Sequence, residues 1–312
     1  MISENLESII PQLEKLTRSL FSEILRIYKD PHFKTKYKKD GSPVTDADMI
    51  SHNIIIKFLK KEYPNIPIVS EESFKQTTYK PSKEFWLIDP LDGTKGFVDR
   101  SGEFTTNIAL IQDGMPVLGI VGAPMLNKIW SGISKRSPNQ SFKTKKTIPN
   151  YFASLEVQDK LESEMFDKVM QNKQDYLKLL KRQSKKQIKK TLRIIMSKNH
   201  QTVLDRAFLN HLNKNGHKIK IVNKGSSIKI CALADKKADI YPRFGPTSEW
   251  DIAAADAVLR SNGGGIFQIE NGQPLEYGKK NSILNPMFIA IDDLNEKRSI
   301  LSIVDRFSKN LL

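Results

Sequence analysis

Apolar residues recur at helical spacing from Leu6 through Ile10, Leu13, Leu20, Ile24 and Ile27, with Pro11 an irregularity near the start. Asp30-Pro31 stops that helix, and a polar loop through Lys38, Lys39, Asp40 and Gly41 leads to Ser42-Pro43-Val44-Thr45. A second helix is predicted over 46–62, ending before Pro64, and a short strand over 66–69, ending on Ser70-Glu71-Glu72. The continuous apolar run Phe85-Trp86-Leu87-Ile88 reads as a buried strand. It delivers Asp89 to a predicted tight turn, where Pro90 fixes φ and Gly93 frees the backbone. Strands over 106–112 and 116–121 pair through Asp113-Gly114, and 127–133 predicts another. From 134 to about 190 the pattern turns polar and Lys-rich, with helical patches and no motif. Regular structure resumes with a strand over 193–196. Ser197-Lys198-Asn199-His200 then opens a helix through Leu204 and Phe208. A strand over 218–222, a helix over 226–233 and a strand over 238–241 follow. Glu249-Trp250-Asp251 enters a helix over 252–259, which Gly263-Gly264-Gly265 closes. No internal repeat is visible. Strands alternating irregularly with helices predict layered sheets and helices in two lobes, an α+β or α/β architecture.

Composition narrows the setting. The chain has 312 residues, 39% of them hydrophobic, which is enough for a large core. No apolar run approaches the roughly 18 residues of a membrane span, and the N-terminus lacks the basic start and apolar centre of a signal peptide. The single cysteine, Cys231, leaves no intramolecular disulfide and agrees with a reducing compartment. The expectation is a soluble, cytoplasmic protein. Its formal charge of +15 is concentrated around Lys173, Lys178, Lys181, Arg182, Lys185, Lys186, Lys189 and Lys190. No RNA-binding signature or zinc-finger spacing accompanies these residues, so a solvated helix face is preferred over a nucleic-acid groove. A positive field would speed the arrival of anionic substrates in either case.

The acids carry the chemistry. Asp89 and Asp92 lie close together, with the hydroxyl of Thr94 just beyond. Two like charges repel by about 4 kcal/mol at 4 Å and an effective dielectric of 20, so a cation between them is expected. Glu71 and Glu72 follow another strand, Asp251 stands where a loop enters a helix, and Asp48 lies in a first helical turn. Oxygen ligands without nearby His or Cys select magnesium, calcium or manganese. A water held between two such ions becomes a nucleophile at neutral pH. Simpler accounts exist for single residues: Asp46 and Asp251 as helix N-caps, Asp113 as a turn residue, Glu71-Glu72 as a solvated pair. The run Asp89-Pro90-Leu91-Asp92-Gly93-Thr94 outweighs them. If a helix or turn begins at Gly93 and Thr94, its free N–H groups favour an anion. Acids for cations beside donors for an oxyanion describe metal-assisted hydrolysis of a phosphate ester. Phosphoryl transfer from ATP fits poorly, since the chain has no G-x-x-x-x-G-K-[ST] loop.

Four motifs, in order along the chain, resemble a known superfamily. They are Pro43-Val44-Thr45 with Asp48, Glu71-Glu72, the Asp89 to Thr94 run, and Trp250-Asp251 with Ala253-Ala254. The superfamily is that of the lithium-sensitive, magnesium-dependent phosphatases, which includes inositol monophosphatase and fructose-1,6-bisphosphatase. The resemblance implies a layered αβαβα sandwich over 1–312, with the metal motifs in a lobe of about 1–150 and a nucleotide side of about 191–312. The Lys-rich insertion of about 151–190 departs from the family pattern. Gly102-Glu103-Phe104-Thr105, Gly225-Ser226-Ser227-Ile228-Lys229 and Tyr241-Pro242-Arg243-Phe244-Gly245-Pro246-Thr247 are similar to the bacterial 3′(2′),5′-bisphosphate nucleotidases. That likeness implies two or three Mg2+ ions on Glu71, Asp89, the Leu91 carbonyl, Asp92 and Asp251. It implies that Thr94, hydrogen-bonded to Asp48, positions and helps deprotonate the attacking water, with Glu72 in the same catalytic set. Glu71, Leu91, Asp92, Gly93, Thr94 and Asp251 would touch substrate, with His200, Ser226, Lys229 and Arg243 near the nucleotide and its second phosphate. A Lys–Arg pair suits a second phosphate, although His200 could cap a helix, Lys229 be solvated and Arg243 pair with a core acid.

The implied reaction removes the 3′-phosphate of adenosine 3′,5′-bisphosphate, giving AMP. Hydrolysis of inositol or fructose phosphates on the same scaffold is the enzymatic alternative. Nucleic-acid binding through the basic insertion is the non-catalytic one. No specific nucleic-acid partner is expected, and the chain is a monomer or a homodimer. A basic surface also permits peripheral contact with the cytoplasmic face of the inner membrane, though no lipid motif supports it.

Overall fold

Helix α1 (Leu6–Lys29) runs through Pro11 and buries Ile9, Leu13, Leu16, Leu20, Ile24 and Ile27, the stripe its spacing predicts. The structure, a computed structural model, describes residues 6–38, 41–134, 191–197 and 201–309. Lys39, Asp40, His200 and the Lys-rich stretch 151–190 lie outside the described residues. After α1, β1 (Thr35–Tyr37) and β2 (Pro43–Thr45) form a small antiparallel hairpin where the sequence suggested only a loop. Three-residue strands are too short to show a period of two. Thr45 then caps α2 (Asp46–Glu62), with Asp48 at the third helical position completing a capping box. Asp46 is therefore the first helical residue and not the cap.

Strand β3 (Ile68–Ser70) pairs in parallel with β4 (Glu84–Asp92), which pairs antiparallel with β5 (Thr105–Gln112). The tight turn expected at Asp89 is absent: β4 runs on through Pro90 to Asp92, with a register shift between Asp89 and Asp92. A bulge is one of the few places where a strand accepts proline. Here the Thr106 hydroxyl donates to the Pro90 carbonyl at 3.0 Å. The chain turns only at Gly93, whose φ of 87° is left-handed, and enters the five-residue helix α3 (Thr94–Val98). β6 (Met115–Ala123) follows the Asp113-Gly114 hairpin, where both residues have positive φ (47° and 74°). With β7 (Lys128–Ile133), the first sheet has the order β3-β4-β5-β6-β7.

The second sheet starts with β8 (Leu192–Ser197). Helix α4 (Val203–Lys214) begins later than expected, because Thr202 and Asp205 form its capping box. Then come β9 (Ile219–Lys224), α5 (Ile228–Ala234), β10 (Ile240–Arg243) and α6 (Glu249–Ser261). Helix α6 ends ahead of Gly263, at φ 83°, as the glycine run predicts. Strands β11 (Gly265–Gln268) and β12 (Phe288–Ile291) and helix α7 (Lys297–Lys309) complete the order β11-β12-β10-β8-β9.

Strand alternation sorts the core into three seams. Trp86, Ile88, Ile108, Leu110, Leu118 and Ile120 face α1 and α2. Phe85, Leu87, Ala109, Ile111 and Val121 face the other way, onto α5 and α6, which in turn meet Tyr241, Phe288 and Ala290 of the second sheet. Ile194, Met196, Ile240, Ile289 and Ile291 point outward to α4 and α7. The result is a five-layer αβαβα stack. Close approach fixes α6: a Cβ on Gly119 of β6 would lie 2.1 Å from the Ala254 carbonyl oxygen. Only glycine there, with the small residues Ala253 to Ala255 opposite, lets α6 lie flat on the sheet that carries Asp89 and Asp92. No helix among the described residues is long and apolar enough to cross a membrane.

Candidate active site

The end of β4 meets the starts of α2, α5 and α6 at one edge of the stack. Two of the acids arrive there because each, at the third helical position, also completes a capping box. Asp48 Oδ2 accepts from the Thr45 N–H at 2.7 Å and the Thr45 hydroxyl at 2.6 Å. Asp251, third residue of α6, accepts from the Ser248 N–H through Oδ2 at 2.8 Å. The sequence reading of Asp251 as a possible cap was thus close, with Ser248 as the capping position. Each acid has one oxygen fixed by its own helix, which aims the other outward.

Asp89, Asp92 and Asp251 each present a carboxylate oxygen within 4.8 Å of the others. At that separation each pair repels by about 3.5 kcal/mol at an effective dielectric of 20. Asp89 is 1% exposed. Burial first, then Glu71, Asp92, Asp251 and Asp48, pushes its carboxyl well above the ordinary 3.8. Burial, then Asp92 and Glu71, does the same to Asp251, against the opposing pull of the Ser248 N–H and Arg243. Such a cluster takes up either protons or a cation. Its all-oxygen donor set, with no imidazole or thiolate among the three, suits a hard divalent ion.

Glu71 and Glu72 stand beside this trio and not within it. Lys38 Nζ reaches Glu71 Oε1 at 2.7 Å and Glu72 Oε1 at 2.9 Å. Burial works against the Lys38 charge, and Glu71 and Glu72 more than reverse that, holding its pKa above the usual lysine value. Burial pushes the Glu71 carboxyl up, with Lys38 opposing. Nothing in the sequence pattern singled out Lys38.

Thr94 Oγ1 lies 3.0 Å from Asp48 Oδ1 and 2.9 Å from the Leu91 carbonyl oxygen. Burial raises the Asp48 carboxyl to about 6, although the two bonds from Thr45 draw it down. Gly93 is obligatory on two counts: its φ is 87°, and a Cβ there would lie 2.8 Å from the Glu103 carbonyl oxygen. Ser226, expected at the nucleotide, donates its hydroxyl to Asp92 Oδ2 at 2.6 Å, and the Ser227 N–H donates to the same oxygen at 2.7 Å.

A cavity of about 170 Å³ opens on this edge, and Asp92, Gly93, Asp251, Lys229, Tyr241 and Arg243 are among its walls. Lys229 Nζ lies 5.3 Å from the centroid of the Tyr241 ring. Arg243 Nη2 donates to the Pro246 carbonyl at 2.8 Å, while its Nε is buried without a partner. Neither cation is simply solvated or locked to a core acid. A wider hollow of about 370 Å³ lined by Glu14, Lys15 and Arg18 on α1 contains none of the clustered acids.

The sequence profile of the inositol monophosphatase family matches residues 5–303. The chain belongs to the inositol monophosphatase family. Members of this family are metal-dependent, and Asp89, Asp92 and Asp251 can hold a metal ion. Among relatives, the 3′(2′),5′-bisphosphate nucleotidase CysQ of Shigella flexneri is 32% identical over 282 residues, covering 90% of this chain and 98% of that protein. The CysQ of Buchnera aphidicola is 33% identical over 287 residues, covering 90% and 93%. The crystal structure of CysQ from Bacteroides thetaiotaomicron has a TM-score of 0.64 at 31% identity, covering 88% of this chain and 94% of that one. An inositol monophosphatase family fold is also shared with the IMPase of Thermotoga maritima, at a TM-score of 0.64 and 18% identity.

Proposed function

We propose that this chain removes the 3′-phosphate of adenosine 3′,5′-bisphosphate, giving AMP and inorganic phosphate. One observation carries the reading: two of the clustered acids, Asp92 and Asp251, share a single cavity with two cations, Lys229 and Arg243. That cavity suits a ligand with one phosphate at the metal site and a second anionic group a short distance away. The names of the relatives agree. Asp89, Asp92 and Asp251, with Glu71 and the Leu91 carbonyl, would hold two or three Mg2+ ions, which lower the pKa of a water and neutralise charge on the attacking and leaving oxygens.

The chain's own residues supply positioning and proton transfer. Thr94 sits between the attacking water and Asp48, and its hydroxyl donates to Asp48 Oδ1 as it accepts from the water. The water oxygen bonds to phosphorus while the P–O3′ bond breaks on the opposite side, and the leaving 3′ oxygen takes a proton from solvent to become the 3′-hydroxyl of AMP. Glu72, tied to Glu71 by Lys38, belongs to the same catalytic group. Lys229 and Arg243 grip the second phosphate, for which guanidinium is well shaped. An inositol ring with one phosphate gives these two cations nothing to hold. Sulfated nucleotides, with an anion at the same place, are second substrates. The buried lone Cys231 fits a reducing cytoplasm.

A substrate panel tests the assignment. With Mg2+, adenosine 3′,5′-bisphosphate should be hydrolysed at least a hundredfold more efficiently than inositol 1-phosphate, and lithium should inhibit. Lys229→Ala and Arg243→Ala should each lower kcat/KM on the bisphosphate by tenfold or more, mainly through KM, with little effect on a monophosphate. Faster hydrolysis of inositol 1-phosphate would overturn the nucleotidase reading.

A further inference from the structure

Asn107 and Ser227 are both buried, at 0% and 2% exposure, and neither has a part in the chemistry above. Asn107 lies on β5 directly opposite Asp89 on β4. Its side-chain Nδ2 donates to Ser227 Oγ at 2.9 Å, and its Oδ1 accepts from the Thr105 hydroxyl at 3.1 Å. The Ser227 hydroxyl in turn donates to the backbone carbonyl of Asp251 at 2.6 Å. The Ser227 N–H donates to Asp92 Oδ2 at 2.7 Å. One amide and one serine therefore touch the segments of all three clustered acids: Asp89 across the strand ladder, Asp92 by its carboxylate, Asp251 by its carbonyl.

We infer that Asn107 and Ser227 are a positioning pair that sets the spacing of Asp89, Asp92 and Asp251, and with it the affinity of the site for a divalent ion. The inference rests on the metal reading of those acids. Without such a tie, mutual repulsion would spread the three carboxylates. Both members are neutral, so they hold the acids without adding to the charge or competing for the ion. A buried amide and hydroxyl are costly unless hydrogen-bonded, and here the bonds run from Asn107, beside Asp89, through Ser227 to Asp92 and to the Asp251 carbonyl. An apolar pair would fill the space and leave the Asp251 carbonyl without its bond from Ser227. Removing groups that orient ligands typically weakens metal binding by 10- to 100-fold.

The test uses Mn2+ binding to the full chain without substrate, read by electron paramagnetic resonance, with thermal unfolding as a check on folding. Ser227→Ala keeps the N–H to Asp92 and removes the bridge to Asp251. It should weaken Mn2+ binding by about 10- to 100-fold. Asn107→Ala should do likewise, and the double variant should lose no more than the worse single one, because the two act as one link. Ser227→Thr, which restores the hydroxyl, should bind close to wild type. In turnover assays the Mg2+ concentration for half-maximal rate should rise while KM for the nucleotide stays within about twofold. A folded Ser227→Ala variant with wild-type Mn2+ affinity, or strictly additive losses, would overturn the pair's role. If Asn107→Ala does not fold, Ser227→Ala alone decides the question. Failure of the wild-type chain to bind Mn2+ would instead defeat the metal assignment itself, and the pair's role with it.

Discussion

Asp89→Asn should abolish turnover, by several powers of ten, while leaving the protein in EDTA at least as stable as wild type. The two halves of this result have one cause. Asp89 is buried and faces Glu71, Asp92, Asp251 and Asp48, so its charge is costly to the bare fold and valuable only to a bound cation. The amide keeps the acceptor for the Leu91 N–H, which Asp89 Oδ1 meets at 3.0 Å, and removes the charge. The linkage sign is fixed by a folded pKa above the ordinary 3.8. The native state then holds its proton longer than the unfolded chain, so this group's contribution to stability falls as pH rises past 3.8. In EDTA the wild type should therefore lose stability over that range more steeply than Asp89→Asn. Adding Mg2+ should reverse the order, since a ligand at about 100 times its Kd stabilises by about 2.7 kcal/mol. Thermal unfolding with and without Mg2+ reads every arm of this prediction. A variant still stabilised by Mg2+ as strongly as wild type would rule Asp89 out as a ligand. Asp92→Asn should lose turnover to a similar degree with the fold intact.

Thr94→Ala and Asp48→Asn should each lower kcat by about 10²- to 10⁴-fold, the usual contribution of a positioned proton acceptor, with KM little changed. Their near-equal effects follow from the 3.0 Å contact that makes them one relay. Asp48 must be ionised to accept the Thr94 proton, and burial places its pKa at about 6. The wild-type rate should therefore fall on acidification at or below about pH 6, because bound Mg2+ favours the ionised carboxylate. Asp48→Asn should keep only the fall caused by protonation of the metal-site acids. Thr94→Ser should retain most of the rate. Asp48→Asn can still accept from the Thr45 N–H, so loss of the cap should cost the fold no more than about 1 kcal/mol. A Thr94→Ala enzyme with wild-type kcat and an unaltered pH profile would remove Thr94 from the mechanism.

Local physics made much of this molecule legible before its structure. The 3.6-residue stripe of α1, the apolar run that opens β4 and the Asp113-Gly114 hairpin joining β5 to β6 are properties of short windows, and the structure has all three. The acids near Pro90 were also visible, although the proline suggested a turn. The strand absorbs it as a bulge because Thr106, sixteen residues away, takes up the Pro90 carbonyl. What was not legible depends on distant pairing. Lys38 finds Glu71 and Glu72 across more than 30 residues, and Asn107 meets Ser227 across 120. Ser226 looked like a ligand contact, and only the fold shows its hydroxyl turned to Asp92. Strand β11 follows Asn262-Gly263-Gly264, and β12 follows the Gly-, Pro- and Asn-rich stretch 271–286, whose turn signals masked these short apolar runs. Asp48 and Asp251 illustrate the overlap of local and functional demands. Each is a third-position helix acid that any capping argument explains, and each is also held at the site by that same cap.

The central claim is that Asp89, Asp92 and Asp251, brought to one edge by the fold, form a site for divalent cations. Crystals soaked in Mn2+ and measured at the manganese absorption edge test it directly. The prediction is an anomalous peak bounded by Asp89, Asp92 and Asp251, and its disappearance in Asp89→Asn. Fully soaked crystals with no peak there, and the three side chains turned away from one another, would contradict it.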